Sequence, residues 1–341
     1  MNPPTHCIGI DIASATFTAT ISSSPGNVVA TKVEIANSLD GYQEFLRWLT
    51  TQNINAQHVV ICLEATGVYG ESLCYFLAGH GYAVAVEPPL KVKRAFQQSC
   101  HKNDTVDSRQ IAEYAHRFFD ELTFWKPQNA IVDQIKVFLS AREQFTTQLT
   151  ANMNTLTTLQ RKHTQTPVAN QMYQETIEQL RENIKSIDQE IRKLIDHDPS
   201  FRQMVGLLTS IPGVGILLAS NLLVLTQGFT RIISAKQLAA HAGICPYEYS
   251  SGTSVFKRPR SRRHGPSTLR KLLYLAALSV RQHHHQFEHY FLRKVAEGKS
   301  KRLVINNIAN KLLKVICAIV NSKQPYIPNY RSVNPRFLKS A

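Results

Sequence analysis

Two carboxylates three residues apart, Asp104 and Asp107 in the run Lys102-Asn103-Asp104-Thr105-Val106-Asp107, sit where a helix should begin. That spacing puts them on one helical face with Ile111, so two oxygen donors project from one helix start. Two more acids interrupt apolar, strand-like runs: Asp11 in Cys7-Ile8-Gly9-Ile10-Asp11-Ile12, and Glu64 at the end of Val59-Val60-Ile61-Cys62-Leu63-Glu64. A carboxylate there needs a partner, because an unpaired buried charge is costly. Taken alone, Asp104 and Asp107 are explained as acids that complement the positive end of a helix. Four acids that converge would repel one another unless cations lay between them, and a pair of Mg²⁺ ions, which prefer carboxylate oxygen, is the expected answer.

A second group could bond covalently to phosphate. Ser250, Ser251 and Ser254 lie in Tyr249-Ser250-Ser251-Gly252-Thr253-Ser254, and Lys257, Arg258, Arg260, Arg262 and Arg263 follow at once. This reads as a hydroxyl-rich loop running into a basic arm. It is either a solvated loop, which the chemistry alone favours, or a nucleophile whose target phosphate is held by arginines. Upstream, Ile211-Pro212-Gly213-Val214-Gly215 joins two apolar segments in a helix-hairpin-helix pattern. Gly213 and Gly215 would let backbone N–H groups approach a phosphate, or would only permit a tight turn. His283, His284 and His285 are adjacent, a spacing that points their rings in different directions on a helix, and they read as surface residues.

The elements that must position the acids alternate strand and helix signals: strands at 7–12, 16–22, 28–35, 58–64 and 82–86, and helices at 39–51, 69–79 and onward to about 119. Over 131–199 the pattern changes to apolar residues alternately four and three apart, in two helices that pair as a coiled-coil hairpin within or between chains. Arg142 and Asn152 on the first seam are placed to fix its register. Beyond Pro266, segments 269–281 and 303–320 read as amphipathic helices carrying Lys and Arg, among them Arg270 and Lys271.

At 341 residues, 43% hydrophobic and 18% charged, the chain reads as a soluble protein of two or three domains. No secretory signal or membrane span is indicated, since Asn306, Asn307, Asn310, Lys311 and Lys314 interrupt the most apolar late segment. The six cysteines, at 7, 62, 74, 100, 245 and 317, include no CxxC pair and read as reduced thiols in a cytosolic protein. Net charge is −4 over 1–135, 0 over 136–200 and +19 over 201–341, where 22 Lys and Arg face three acids. Such a block implies a polyanionic partner, with nucleic acid the best candidate.

The element order β-β-β-α-β-α-β-α resembles that of the ribonuclease H fold, which implies that Asp11, Glu64, Asp104 and Asp107 meet at one sheet edge. Gly9-Ile10-Asp11-Ile12-Ala13, Glu64-Ala65-Thr66-Gly67, the run from Lys102 to Asp107, Ile211-Pro212-Gly213-Val214-Gly215 and the run from Tyr249 to Ser254 occur in the order and approximate spacing of the insertion-sequence family called one-ten. Its members are DEDD transposases, and the resemblance covers nearly the whole chain. It implies a RuvC-like α/β domain over 1–130, the helical hairpin over 131–199, a mainly α transposase domain over 200–330 and a tail over 331–341. It further implies that the four acids hold two Mg²⁺, with Mn²⁺ as a substitute, and that Ser251, directly before Gly252, attacks a DNA phosphate to form a phosphoserine link. An element-encoded bridge RNA would pair with donor and target DNA. The chain would act as a homo-oligomer, a dimer that becomes a tetramer in the synaptic complex, in the bacterial cytoplasm at the nucleoid. The expected nucleic-acid contacts are Lys102, Gly213, Gly215, Lys257, Arg258, Arg260, Arg262, Arg263, Arg270 and Lys271.

Three other functions compete. A RuvC-like Mg²⁺-dependent, structure-specific nuclease would need the acids and no serine. A sugar-kinase or actin-like ATPase also begins with a strand bearing an acid, but no later glycine-rich phosphate loop follows here. An architectural DNA binder would explain the basic third and leave the four acids without a role.

Overall fold

The apolar runs of the first third form a five-stranded sheet in a computed structural model that describes residues 3–65, 67–96, 103–127, 129–230, 234–251, 255–261 and 265–328. β1 (His6–Ile12), β2 (Thr16–Ser24) and β3 (Asn27–Ala36) are antiparallel neighbours, and Gly26 at φ 80° closes the two-residue turn between the last two. β4 (Val59–Glu64) and β5 (Ala83–Glu87) then add parallel to β1, giving the order β3-β2-β1-β4-β5. Parallel strands are covered on both faces, hence the unbroken apolar runs of β4 and β5. On one face Ile8, Ile10, Ile61 and Leu63 pack with Phe45 and Leu49 of α1 (Leu39–Thr51) and Leu73 and Leu77 of α2 (Glu71–Gly79). On the other, Cys7, Val60, Cys62 and Ala85 pack with Val92 of α3 (Pro89–Ala95) and Ile111, Tyr114 and Ala115 of α4 (Asp104–Arg117).

Gly9 decides how α4 sits. A Cβ at that position would lie 2.1 Å from the Ser108 carbonyl oxygen and 2.2 Å from the Ala112 nitrogen, so helix backbone rests on strand backbone. The contact is sealed by a chain of hydroxyls that runs inward from exposed Thr31. Thr31 and Thr20 are 3.1 Å apart, Thr20 and Ser108 2.8 Å, and Ser108 donates to the Thr105 carbonyl at 3.1 Å. Each buried oxygen thereby gains a partner, without which it would cost about 1–3 kcal/mol.

The chain divides by its contacts into two units, Met1–Pro127 and Gln128–Ala341. The second begins with two long helices, α5 (Ala130–Gln160) and α6 (Pro167–His197), the heptad segments of the sequence, which pair within the chain. Arg142 of α5 reaches Asp188 of α6 through Nε at 2.6 Å and a second nitrogen at 3.2 Å, so it does help to fix register. The Asn152 amide donates to the Gln148 carbonyl of its own helix at 2.9 Å. Pro167 is the first residue of α6, where a missing N–H and a fixed φ are tolerated.

α7 (Pro199–Thr209), α8 (Ile216–Thr226), α9 (Ala235–His241), α10 (Ser267–His283), α11 (His285–Ala296) and α12 (Lys301–Ser322) share one core with the base of the hairpin, including Val132, Ile135, Ile191 and Ile195. α12 is long and apolar enough to cross a membrane by length and composition, yet Val304, Ile308, Leu312, Leu313 and Ile316 are spent in that core. The asparagines that interrupt it have work there: Asn306 and Asn310 both donate to the Ile244 carbonyl, at 3.0 and 3.3 Å. Two expectations are corrected. The serine loop and the start of the basic arm are strands, β6 (Pro246–Ser251) and β7 (Val255–Ser261), paired antiparallel. The three histidines lie where α10 gives way to α11 around His284, rather than on one helix.

Gly9→Ala should destabilise the first unit by about 2–3 kcal/mol, as overpacking of backbone on backbone does. Both tryptophans, Trp48 and Trp125, lie in this unit, so urea unfolding followed by their fluorescence reads it directly. Gly206→Ala in α7, where a Cβ meets nothing, should instead add up to about 1 kcal/mol by circular dichroism. A Gly9→Ala protein within about 0.5 kcal/mol of the parent would overturn the packing argument.

Candidate active site

Strand register and helix direction bring the segments that carry the four sequence acids toward one end of the sheet. Asp11 follows Ile10, whose parallel partner is Leu63, so the next pair of positions along the two strands is Asp11 and Glu64. Both are in step with Gly9 and Cys62, on the sheet face that α4 covers, and both are half-buried at the carboxyl ends of their strands. The direction of α4 follows from two contacts. Ser108 lies against Gly9 and Thr20, whereas His116, two turns on, hydrogen-bonds the Ser22 carbonyl at 2.9 Å, and Ser22 pairs with Cys7. The helix therefore runs antiparallel to β1. Its first turn, with exposed Asp104 and half-buried Asp107, points to the Asp11 end, capped by the Asn103 side chain that accepts from the Val106 N–H at 2.8 Å.

As a donor set, four carboxylates suit a hard divalent cation. Among the described residues no three His, Cys, Asp or Glu side chains are grouped tightly enough to share an ion. The thiols are poor alternatives: burial pushes Cys7 and Cys74 up to about 12, and raises Cys62 further, with neighbouring Glu87, Cys7 and Glu64 adding to the effect.

Two residues at this edge escaped the sequence reading. Glu87 is the sheet partner of Glu64 and is 1% exposed. It accepts from the Thr123 N–H at 2.7 Å and from Lys91 Nζ at 3.1 Å, so its charge is already answered inside the fold. Its signal, an acid ending an apolar run before Pro88, is the same one that identified Glu64. Asn37 donates to the carbonyls of Ala13 and Tyr69 at 3.0 and 3.1 Å, while its own oxygen accepts from the Tyr42 hydroxyl at 2.5 Å. It thus ties the segment after Asp11 to the one after Glu64, which no local pattern announces.

In the second unit Ser251 is the last residue of β6 and pairs with Val255, while Ser250 pairs with Phe256. Lys257, Arg258 and Arg260 belong to β7. Ser254, Arg262 and Arg263 lie outside the described residues, as does Lys102 in the first unit. The base of this hairpin is fixed by Gly265, at φ 107°, where a Cβ would stand 1.8 Å from the His241 carbonyl oxygen. Arg270 donates to the neighbouring Ala242 carbonyl at 3.1 Å. Lys271, one residue on, lines a cleft of about 580 Å³ between α5, α8 and α10. Gly213 adopts φ 76° in the turn between α7 and α8, and a Cβ there would meet Val280 and Ala276 of α10 at 2.7 and 2.9 Å, so close helix packing accounts for it. Gly215, the N-cap of α8, has open space around it.

The model of a DEDD transposase family matches residues 8–164, and that of the IS116/IS110/IS902 transposase family matches residues 205–292. Pilin gene-inverting proteins of Moraxella bovis and Moraxella lacunata are each 27% identical over 323 residues, covering 94% of this chain and 97% of theirs. A protein of insertion element IS110 from Streptomyces coelicolor is 28% identical over 141 residues, which is 41% of this chain and 34% of that one. With both halves matched in order, the chain belongs to the IS110 family of DNA transposases.

Proposed function

We propose that this transposase cleaves and rejoins DNA strands through a phosphoserine link made by Ser251, with two Mg²⁺ held by Asp11, Glu64, Asp104 and Asp107. What supports the metal reading above all is the register of β1 with β4, which sets Asp11 beside Glu64, together with the antiparallel run of α4, which turns the helix start bearing Asp104 and Asp107 toward the same end of the sheet. Bound there, the ions would neutralise charge on the scissile phosphate and orient it. Ser251 supplies the attacking oxygen. Its Oγ–P bond forms as the P–O bond to the departing strand end breaks, and that end takes up a proton in exchange for the one the hydroxyl gives up. The phosphodiester is kept as an ester, so the reverse attack by a new strand end reseals DNA without ATP. Lys257, Arg258, Arg260, Arg262 and Arg263, close to Ser251 in sequence, suit the grip on backbone phosphate. The excess of 22 Lys and Arg over three acids in 201–341 suits a protein that handles donor DNA, target DNA and an element-encoded bridge RNA together. Exchange of two duplexes needs several serines at once, which a dimer assembling into a tetramer provides.

Asp11→Asn and Asp104→Asn should each lower strand cleavage by at least about a hundredfold, since the stabilisation a catalytic metal supplies amounts to several kcal/mol. DNA binding should persist. Cleavage at the parent rate by either variant in Mg²⁺ would remove the quartet from the mechanism. Ca²⁺ in place of Mg²⁺ should allow binding and little cleavage, because its looser coordination positions in-line attack poorly.

Ser251→Ala should abolish the covalent protein–DNA adduct on denaturing gels with end-labelled DNA, while Ser250→Ala and Ser254→Ala retain it. Loss of the adduct in one of those two, and its survival in Ser251→Ala, would move the nucleophile. A parent protein that cuts with no adduct at any time would favour the RuvC-like nuclease instead.

A further inference from the structure

Over 267–323 eleven Lys and Arg face only two acids, Glu288 and Glu297. Two of the cations meet at one tyrosine, and two more lie close to them. Lys311 of α12 places Nζ 4.3 Å from the centre of the Tyr290 ring on α11, and the Arg293 guanidinium carbon stands 5.9 Å from the same centre. Lys294 follows Arg293 on α11, and Lys314 lies one turn beyond Lys311 on α12. The one acid among them is Glu297, whose oxygens accept from Lys294 Nζ at 2.6 and 2.9 Å and lie 4.0 Å from Arg293 Nε. Glu297 can cancel a single positive charge, so about three remain. Among the described residues neither Lys311 nor Lys314 has a carboxylate at ion-pair distance. Burial, and then the like charges of Lys314, Arg293 and Lys294, hold the Lys311 ammonium below its usual range.

Crowded like charges oppose folding, and the cation–π contact with Tyr290 offsets only part of that cost. A polyanion would reverse the sign of the interaction. Because Lys311 already covers the Tyr290 ring, that face is not a platform for a stacked base, which leaves backbone phosphate as the fitting chemistry. We infer that Arg293, Lys294, Lys311 and Lys314 form an anchor on α11 and α12 that grips the phosphodiester backbone of duplex DNA without regard to sequence. DNA is chosen as the substrate that membership of a transposase family supplies. The anchor rests on that membership, not on Ser251 or the carboxylate quartet.

The test is fluorescence anisotropy of a labelled 30-base-pair duplex of arbitrary sequence, titrated from about 50 to 300 mM NaCl with full-length protein in the Ser251→Ala background, so that no covalent step enters. Lys311→Gln/Lys314→Gln should reduce the log–log salt slope by about two, at about 0.9 per lost phosphate contact, and weaken binding roughly tenfold at 100 mM salt, equally on unrelated sequences. Lys311→Arg/Lys314→Arg should keep the parent slope, and so should Lys185→Gln/Lys193→Gln on α6. Lys314→Gln alone, at an exposed position, should lower the slope by about one even if Lys311→Gln disturbs packing. An unchanged slope in the glutamine pair, an equal loss in the arginine pair, or a loss seen only with a duplex RNA of the same sequence would overturn the anchor. A protein that binds with the full slope yet forms no adduct when Ser251 is restored would sink the serine mechanism and leave the anchor standing.

Discussion

The close approach of α4 to β1 at Gly9 is the constraint on which the carboxylate edge depends. Strand and helix backbones come so near there that a single methyl group would collide with the Ser108 carbonyl, and the hydroxyls of Thr20 and Ser108 lock the contact from the side. Because α4 runs antiparallel to β1, this one contact sets which helix end lies by Asp11. The first turn of α4 arrives there with its positive dipole end as well as its acids, a place suited to anionic groups and to ions that bridge them. Moving the helix by one turn would carry Asp104 and Asp107 about 5.4 Å away along its axis, farther than a carboxylate can span.

Much of the first unit was legible because unbroken apolar runs bounded by short turns carry it. Asp11 and Glu64 stood out as acids at the ends of buried strands. Glu87 carries the same signal, but the prolines that follow it, Pro88 and Pro89, mask it as the mere end of a strand. Gly9 looked like any residue of an apolar run. Its role comes from a helix a hundred positions later, and such a contact leaves no local trace. The same holds for Asn37, which joins two loops that are distant in sequence.

In the second unit the two long heptad helices, the apolar α8 and the basic excess were readable, and the β6–β7 hairpin was not. Pro246, Ser250, Ser251, Gly252 and Ser254 dominate that stretch as turn formers, and they hid an alternation that includes Tyr247, Tyr249 and Val255, residues that favour pleated surface. Charge was informative in bulk but blind in detail. The sequence showed that the last 141 residues are strongly positive. Only the packing of α11 on α12 reveals that Lys311 and Lys314 share a surface with Arg293 and Lys294, with Glu297 as the one carboxylate among them.

The proposed gathering of the four acids around divalent ions can be tested without any assay of cleavage. Fe²⁺ exchanged into Mg²⁺ sites and treated with ascorbate and peroxide releases hydroxyl radicals that cut the polypeptide next to the ion. Cuts close to Asp11, to Glu64 and to the first turn holding Asp104 and Asp107 are expected together, and excess Mg²⁺ should suppress all three in parallel. Cutting that spares these three segments, or that persists undiminished in excess Mg²⁺, would contradict the assignment of one shared metal edge.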